Sequence, residues 1–247
     1  MIDLHTHILP GLDDGVRSLE EAVELAREAV AGGIAALVAT PHVRDDYPTA
    51  AAEMERVLAA LRARLVDEGV PLRVLPGGEI ALDRLAELSA DELRRFGLGG
   101  NPSYLLVETP YFGLPLDLED RLFRLRASGI TPLLAHPERN EDFQQDIDRV
   151  ARLVRSGTLV QVTAASLDGR AGKRARETAK ELVAAGLAHV VASDAHSPSV
   201  RRGGLAGVAA EVGDEQLARW LTTELPAAIV SGDPLPPRPV RRRRFWR

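Results

Sequence analysis

Met1-Ile2-Asp3-Leu4-His5-Thr6-His7-Ile8-Leu9-Pro10-Gly11-Leu12-Asp13-Asp14-Gly15 begins the chain and sets the frame for the rest. A short apolar run ends in two histidines one residue apart, and a loop holding Pro10, Gly11 and Gly15 then presents two aspartates. Side chains alternate faces along a strand, so His5 and His7 point the same way, about 7 Å apart, and both reach over the strand's end toward one ion. Imidazole nitrogen and carboxylate oxygen suit manganese, iron or zinc, not a soft-metal thiolate site. Taken alone, the His-x-His pair reads as readily as two surface histidines near a terminus. The remainder of the chain decides between them.

Outward from this stretch, Ser18-Leu19-Glu20-Glu21 has the form of a capping box. Leu19, Val23, Ala26 and Val30 recur at helical spacing until Gly32-Gly33 stops the helix. Ile34 to Ala39 is the next apolar run and ends in Thr40-Pro41-His42. Thr49 to Glu68 reads as a long helix. Leu72 to Leu75 is a short strand running into Pro76-Gly77-Gly78-Glu79-Ile80, where glycines let the backbone pass close to a neighbour and Glu79 sits at the turn. Ser89-Ala90-Asp91-Glu92 opens a short helix, and Glu108 follows a strand from Tyr104 to Val107. A helix from Asp117 to Ser128 leads to strand Thr131 to Ala135 and His136-Pro137-Glu138-Arg139. A helix from Asp146 to Arg155 precedes strand Leu159 to Thr163, and Lys173 to Ala185 precedes strand His189 to Ala192, which delivers Ser193-Asp194-Ala195-His196.

This alternation predicts an α/β fold with a parallel sheet, and seven such strands suit a closed or nearly closed barrel. No linker divides residues 1–233, which read as one domain. Asp214 to Ser231 reads as two terminal helices outside the barrel. From Pro234 onward, four prolines in six residues prevent regular hydrogen bonding, so 234–247 reads as a tail.

The 247 residues are 45% hydrophobic and 27% charged, as expected of one soluble α/β domain. No run approaches the roughly 18 apolar residues of a membrane span, and no signal peptide opens the chain, so the expected location is the cytoplasm. The absence of cysteine excludes disulfides, thiolate zinc sites and a cysteine nucleophile. A net charge of -5 hides an asymmetry, because Arg238 to Arg247 hold six arginines. That end reads as a solvated tail or, alternatively, as a contact with an acidic partner or membrane surface. The acidic body and sparse aromatics speak against nucleic acid, whose bases are held by stacking.

At the strand ends stand His5, His7, Asp14, His42, Glu79, Glu108, His136, Asp194 and His196, including five of the six histidines. In parallel barrels these ends open onto one face, where active sites are built. His189 begins its strand and is expected to be structural. Nine ligands are too many for one ion and enough for two or three. With four carboxylates, three divalent cations would leave the site about two units positive and attractive to a phosphate dianion, which favours a metal hydrolase over metal storage.

In this order, His5-Thr6-His7 with Asp13-Asp14-Gly15, Thr40-Pro41-His42, Gly78-Glu79, Glu108, His136-Pro137-Glu138-Arg139 and Ser193-Asp194-Ala195-His196 resemble the polymerase and histidinol phosphatase (PHP) superfamily. Within it they are most similar to the manganese-dependent tyrosine-protein phosphatases of bacterial capsule and exopolysaccharide operons. The resemblance implies a distorted, seven-stranded TIM-like barrel with a trinuclear site and those nine residues in the ligand positions; the division of ligands among the ions stays open, with Glu79 expected to bridge two. Manganese is the expected metal, with iron, zinc or magnesium as alternatives. It also implies that Arg139 and an arginine after the last motif bind phosphate: Arg201 by spacing, or its neighbour Arg202. Arginine's planar fork holds two phosphate oxygens at once; the alternative for Arg139 is an ion pair with Glu138 or Glu141. The Arg-rich tail and Pro198-Ser199-Val200 depart from the family pattern.

The implied chemistry is in-line attack of activated water on phosphorus, with Asp194, Arg139 and Arg201 among the catalytic residues. A tyrosine phenolate, with a pKa of about 10, departs more easily than a serine alkoxide. The implied partner is a bacterial tyrosine kinase whose tyrosine-rich tail governs polysaccharide export. Three alternatives are less favoured: hydrolysis of a small ester such as histidinol phosphate, against which the Gly11-Leu12-Asp13-Asp14-Gly15 wording stands; a nuclease, against the acidic body and sparse aromatics; and a metal-stabilised regulatory module without turnover, which would need a lost ligand or phosphate arginine.

Overall fold

The computed structural model describes residues 1–198 and 204–240. Strand β1 (Ile2–Thr6) is followed by α1 (Leu19–Ala31). β2 (Ala36–Ala39) continues past Thr40-Pro41 into β3 (His42–Arg44), which folds back as β4 (Tyr47–Pro48). α2 (Ala51–Asp67) leads to β5 (Arg73–Leu75) and, past Pro76-Gly77-Gly78, to β6 (Glu79–Ala81). Then come α3 (Ala90–Arg95), β7 (Tyr104–Glu108), α4 (Leu118–Ala127), β8 (Thr131–Leu134), α5 (Glu141–Gln145), α6 (Ile147–Arg155), β9 (Leu159–Thr163), α7 (Ala164–Leu167), α8 (Lys173–Ala184) and β10 (Val190–Ala192). α9 (Val208–Val212), α10 (Glu215–Arg219) and α11 (Leu225–Ser231) close the helical part.

The fold is α/β with a parallel sheet, as the alternation predicted, but the strands divide into two sheets. One has the order β1-β2-β5 and the other β10-β9-β8-β7-β6-β3-β4, and among the described residues only the β3–β4 hairpin is antiparallel. The division falls at prolines. Pro41 and Pro76 have no N–H to give a ladder, so β2 pairs with β1 and β5 while its continuation β3 pairs with β6. Counting β2 with β3 and β5 with β6 leaves seven strand positions, which follow one another from β1 through β7, β8 and β9 to β10. Among the described residues no ladder joins β10 to β1. A single parallel bridge, Thr6 to Ala195, spans that gap, with His7 N donating to Ala195 O (2.8 Å) and Asp194 N to His5 O (2.9 Å).

Strands buried on both faces read as continuous apolar runs; β2, β9 and β10 are buried at every residue. Glycines at two crossings allow close approach. A Cβ on Gly15 would stand 2.2 Å from His7 O, and one on Gly78 would stand 2.5 Å from the Phe96 ring.

Several local expectations differ from the structure. Ser18 accepts from Glu21 N, but Glu21 Oε2 takes Arg17 N instead of closing the box, and the complete capping box lies at Ser89 and Glu92. The two terminal helices run together as α10 and α11 through a π turn at Trp220–Glu224. Pro226 cannot donate to the carbonyl four residues back, and the wider turn absorbs the gap. The tail has no regular structure over Asp233–Val240, yet it lies against the body. Trp220 Nε1 donates to Pro236 O at 3.0 Å, and Arg238 donates to Ala188 O and Val183 O at 2.5 and 2.8 Å. Arg241 to Arg247 lie outside the described residues.

Candidate metal centre

The nine predicted strand-end residues converge in one cluster. His5 ends up near the close of β1 and His7 just past it; Glu108 is the last residue of β7, and His136, Asp194 and His196 follow β8 and β10. His42 and Glu79 are the first residues of β3 and β6, not turn residues past a strand, because the proline breaks restart each strand at the ligand. Their nitrogen and oxygen atoms form four overlapping groups with members within 4.8 Å of one another: His7, Asp14, His42 and His196; His5, Glu79 and His136; His5, His7 and Asp194; His42, Glu79 and Glu108. All nine are buried except Asp14, whose side chain is 46% exposed.

Glu79 lies at the middle. Its Oε2 is 3.3 Å from His5 Nε2, 3.4 Å from His7 Nε2 and 2.8 Å from His42 Nδ1, while Oε1 is 2.9 Å from His136 Nε2. Asp194 Oδ1 stands 3.4 Å from both His5 Nε2 and His7 Nε2. Asp14 Oδ1 is 3.5 Å from His42 Nε2 and 3.4 Å from His196 Nε2. Backbone strain accompanies this convergence. His136 (φ +31°) and Asp194 (φ +52°) adopt the left-handed region that non-glycine residues rarely enter, at a cost of roughly 1–3 kcal/mol each.

Two residues outside the nine set the tautomers. Gln161 Oε1 accepts from His136 N at 3.2 Å and lies 3.1 Å from His5 Nδ1. A backbone N–H only donates, so the amide oxygen must face it, and a neutral His5 then carries its proton on Nδ1. Asp13 Oδ2 does the same for His7 Nδ1 at 2.7 Å and also accepts from His42 N. Each imidazole is left with a lone pair on Nε2, and these two atoms face each other at 3.2 Å. Two lone pairs cannot bond to one another; a cation between them satisfies both. Glu79 Oε2 and His42 Nδ1 repeat the pattern, since they are buried and 2.8 Å apart but off any hydrogen-bonding line. This mixed donor set fits manganese, iron or zinc.

The electrostatics make the same demand for positive charge. Burial alone would lower His5 and His7, but Glu79 and Asp194 push His5 up, and Asp13 pushes His7 well up. Burial opposes ionisation of Glu79 and Asp194 as well, yet the surrounding imidazoles hold both carboxyls far below the usual range. Glu108, buried beside Glu79, is raised to about 7.

Arg139 pairs with neither Glu138 nor Glu141. Its Nη1 donates to Asp194 Oδ2 at 2.7 Å, and its guanidinium lies 4.9 Å above the centre of the Tyr111 ring. Glu138 turns inward to Thr163 N (2.9 Å) and Ser166 Oγ (2.7 Å). Arg201 and Arg202 lie outside the described residues. His189 stays apart from the cluster, where Nδ1 accepts from Val160 N at 3.2 Å. Sequence reasoning passed over Gln161, although a polar residue inside the apolar run Leu159–Thr163 was a signal. It also passed over Asp13 as an orienting group, and over Tyr111, which carried no signal.

The family model described as capsular polysaccharide synthesis, CpsB/CapC, matches residues 1–230. The chain is 35% identical over 255 residues to the tyrosine-protein phosphatase YwqE of Bacillus subtilis, covering 100% of this chain and 99% of the relative. It is 28% identical over 209 residues to the tyrosine-protein phosphatase CpsB of Streptococcus agalactiae serotype III, covering 81% and 85%. A crystal structure from work on YwqE of Bacillus subtilis and CpsB of Streptococcus pneumoniae, described as unique metal-dependent tyrosine phosphatases, superposes with a TM-score of 0.84 at 35% identity. It covers 98% of this chain and 100% of the other.

Proposed function

Because the chain belongs to the capsular polysaccharide synthesis family CpsB/CapC, we propose that its pocket carries out metal-dependent hydrolysis of phosphotyrosine in proteins. The chain has no cysteine, so no phosphocysteine intermediate is available. The observation that carries this function is the facing pair of His5 and His7 Nε2 atoms, with the Glu79 and Asp194 carboxylates around it.

In this assignment the ligands are His5, His7, Asp14, His42, Glu79, Glu108, His136, Asp194 and His196, which hold two or three divalent ions, manganese foremost. When bound, such ions activate water and neutralise charge on phosphoryl oxygens. The chain's own residues do the rest. Asp13 and Gln161 keep His7 and His5 in the ligating tautomer. Asp194 orients Arg139 through one of its five N–H groups, leaving others for the equatorial phosphate oxygens, which matches arginine's role in phosphoryl transfer. Arg201 or Arg202 supplies the second guanidinium. The phenolate leaves with little need of an acid.

The substrate in this proposal is the phosphorylated tail of a bacterial tyrosine kinase that governs capsular or exopolysaccharide export, and the site of action is the cytoplasm. Support comes from the family's link to capsular polysaccharide synthesis. No helix among the described residues is long and apolar enough to cross a membrane.

The test is elemental analysis of the purified chain, paired with turnover of a phosphotyrosyl peptide and of histidinol phosphate before and after chelation. The expected result is two or three ions per chain, preference for the peptide, and loss of turnover on chelation that manganese restores. Full activity after demonstrated metal loss would overturn the mechanism, and preference for histidinol phosphate would overturn the substrate.

A further inference from the structure

The chain is poor in aromatics, with three tyrosines in all, and two of the three lie against the metal centre. Tyr47 stacks on His42 (5.9 Å between centroids, 15° between planes) with Arg44 over its face, and Tyr111 stacks on His136 (6.1 Å, 16°) with Arg139 over its face. The two differ in what lies beyond them. Tyr111, but not Tyr47, lines a cleft of about 650 Å³ that Arg44, Asp83, Glu108 and Arg121 also line. That volume suits an aromatic side chain with its flanking backbone.

Tyr111 is held in place at this junction although its loop carries no regular structure. Glu141 N donates to Tyr111 O at 2.8 Å, and Asp142 Oδ2 accepts from Gly113 N and Leu114 N at 2.9 and 3.1 Å. Asn140 Nδ2 donates to Pro110 O. The residue nevertheless remains 40% exposed. Tyr111 is thus a large aromatic pinned by its backbone, bordered by the arginine proposed to hold phosphate, and open to the cleft.

We propose that Tyr111 is a specificity-determining residue, the platform on which the aryl ring of the substrate phosphotyrosine stacks while the peptide chain leaves through the adjoining cleft. This rests on the phosphatase function proposed above. A phosphoryl group held by Arg139 puts the attached ring one ester bond away, beside a face that Arg139 already borders. Offset stacking there favours aryl over alkyl esters without touching the reacting bonds.

The experiment measures binding of phenylphosphonate and of inorganic phosphate to the metal-loaded full chain by calorimetry, alongside kinetics on a phosphotyrosyl peptide. Tyr111→Ala and Tyr111→Leu are expected to weaken phenylphosphonate and raise the peptide KM roughly three- to tenfold, the range expected for one aromatic contact. Phosphate affinity should stay unchanged and Tyr111→Phe should bind as wild type. If phosphate affinity falls as far as phenylphosphonate affinity, Tyr111 only supports Arg139 and the platform is overturned. Unchanged phenylphosphonate binding in both truncated variants also overturns it. Failure of the wild type to hydrolyse the peptide would instead sink the proposed function, while the two binding arms still decide the platform.

Discussion

Asp13 and Gln161 are not among the nine proposed ligands, yet each decides which nitrogen of a histidine is free to ligate. Groups of this kind typically carry 10- to 100-fold in metal affinity, so Asp13→Ala should weaken manganese binding by roughly that factor, as read by calorimetric titration of the metal-free chain. Equal affinity in the variant would remove Asp13 from the site. That the nine come together was legible because they recur at the ends of apolar runs, which a parallel α/β fold gathers on one face. Their supporting groups were not, because what orients a histidine is settled by pairing across the chain: Gln161 lies 156 residues from His5. His189 shows the converse, a histidine placed by its neighbours and not by chemistry. Burial, then the nearby Arg238 charge, lowers it to about 4. In the unfolded chain it would protonate near 6.5. Its contribution to stability is therefore complete above pH 6.5 and is lost as the pH falls toward 4, by at most about 3 kcal/mol. His189→Asn, which keeps an acceptor for Val160 N, should flatten the pH dependence of urea unfolding in that window; an unchanged slope would refute this.

Among the elements, the helices were easier to read than the short strands. Helical spacing located α1, α2, α4, α6 and α8 to within about two residues at each end, which is where end fraying leaves such boundaries. β3, β4 and β6, of two or three residues each, are too brief to show any alternation; β3 and β6 exist because prolines interrupt β2 and β5, and β4 is the hairpin return of β3. The complete box at Ser89 satisfies two N-terminal donors of α3, whereas Ser18 satisfies one. Ser89→Ala should cost about 1 kcal/mol in denaturant unfolding, and Glu92→Ala should also lower stability because its carboxylate completes the box. No change in the unfolding midpoint for Ser89→Ala would show that α3 is held by packing alone.

For the whole molecule, the strand–helix alternation foretold seven strand positions, but the partition into two sheets turns on which neighbour each strand meets beyond Pro41 and Pro76. Residues 234–240 have no regular structure, yet side-chain bonds from Trp220 and Arg238 fasten that segment to the π turn, to α8 and to Ala188 ahead of β10. Arg238→Ala should lower stability by about 2 kcal/mol, as for hydrogen bonds from a charged donor, and leave aryl phosphate turnover unaltered; reduced turnover with unchanged stability would contradict it. The lone bridge between Thr6 and Ala195 carries a last implication. His5 and His7 hang from one lip of that gap and Asp194 and His196 from the other, so an ion shared between them, as proposed above, would act as a clasp where the backbone lacing is thinnest. A chain starved of metal would come undone at its own beginning, and faster deuterium uptake at the amides of His7 and Asp194 than along β7 or β8 would record the loosening.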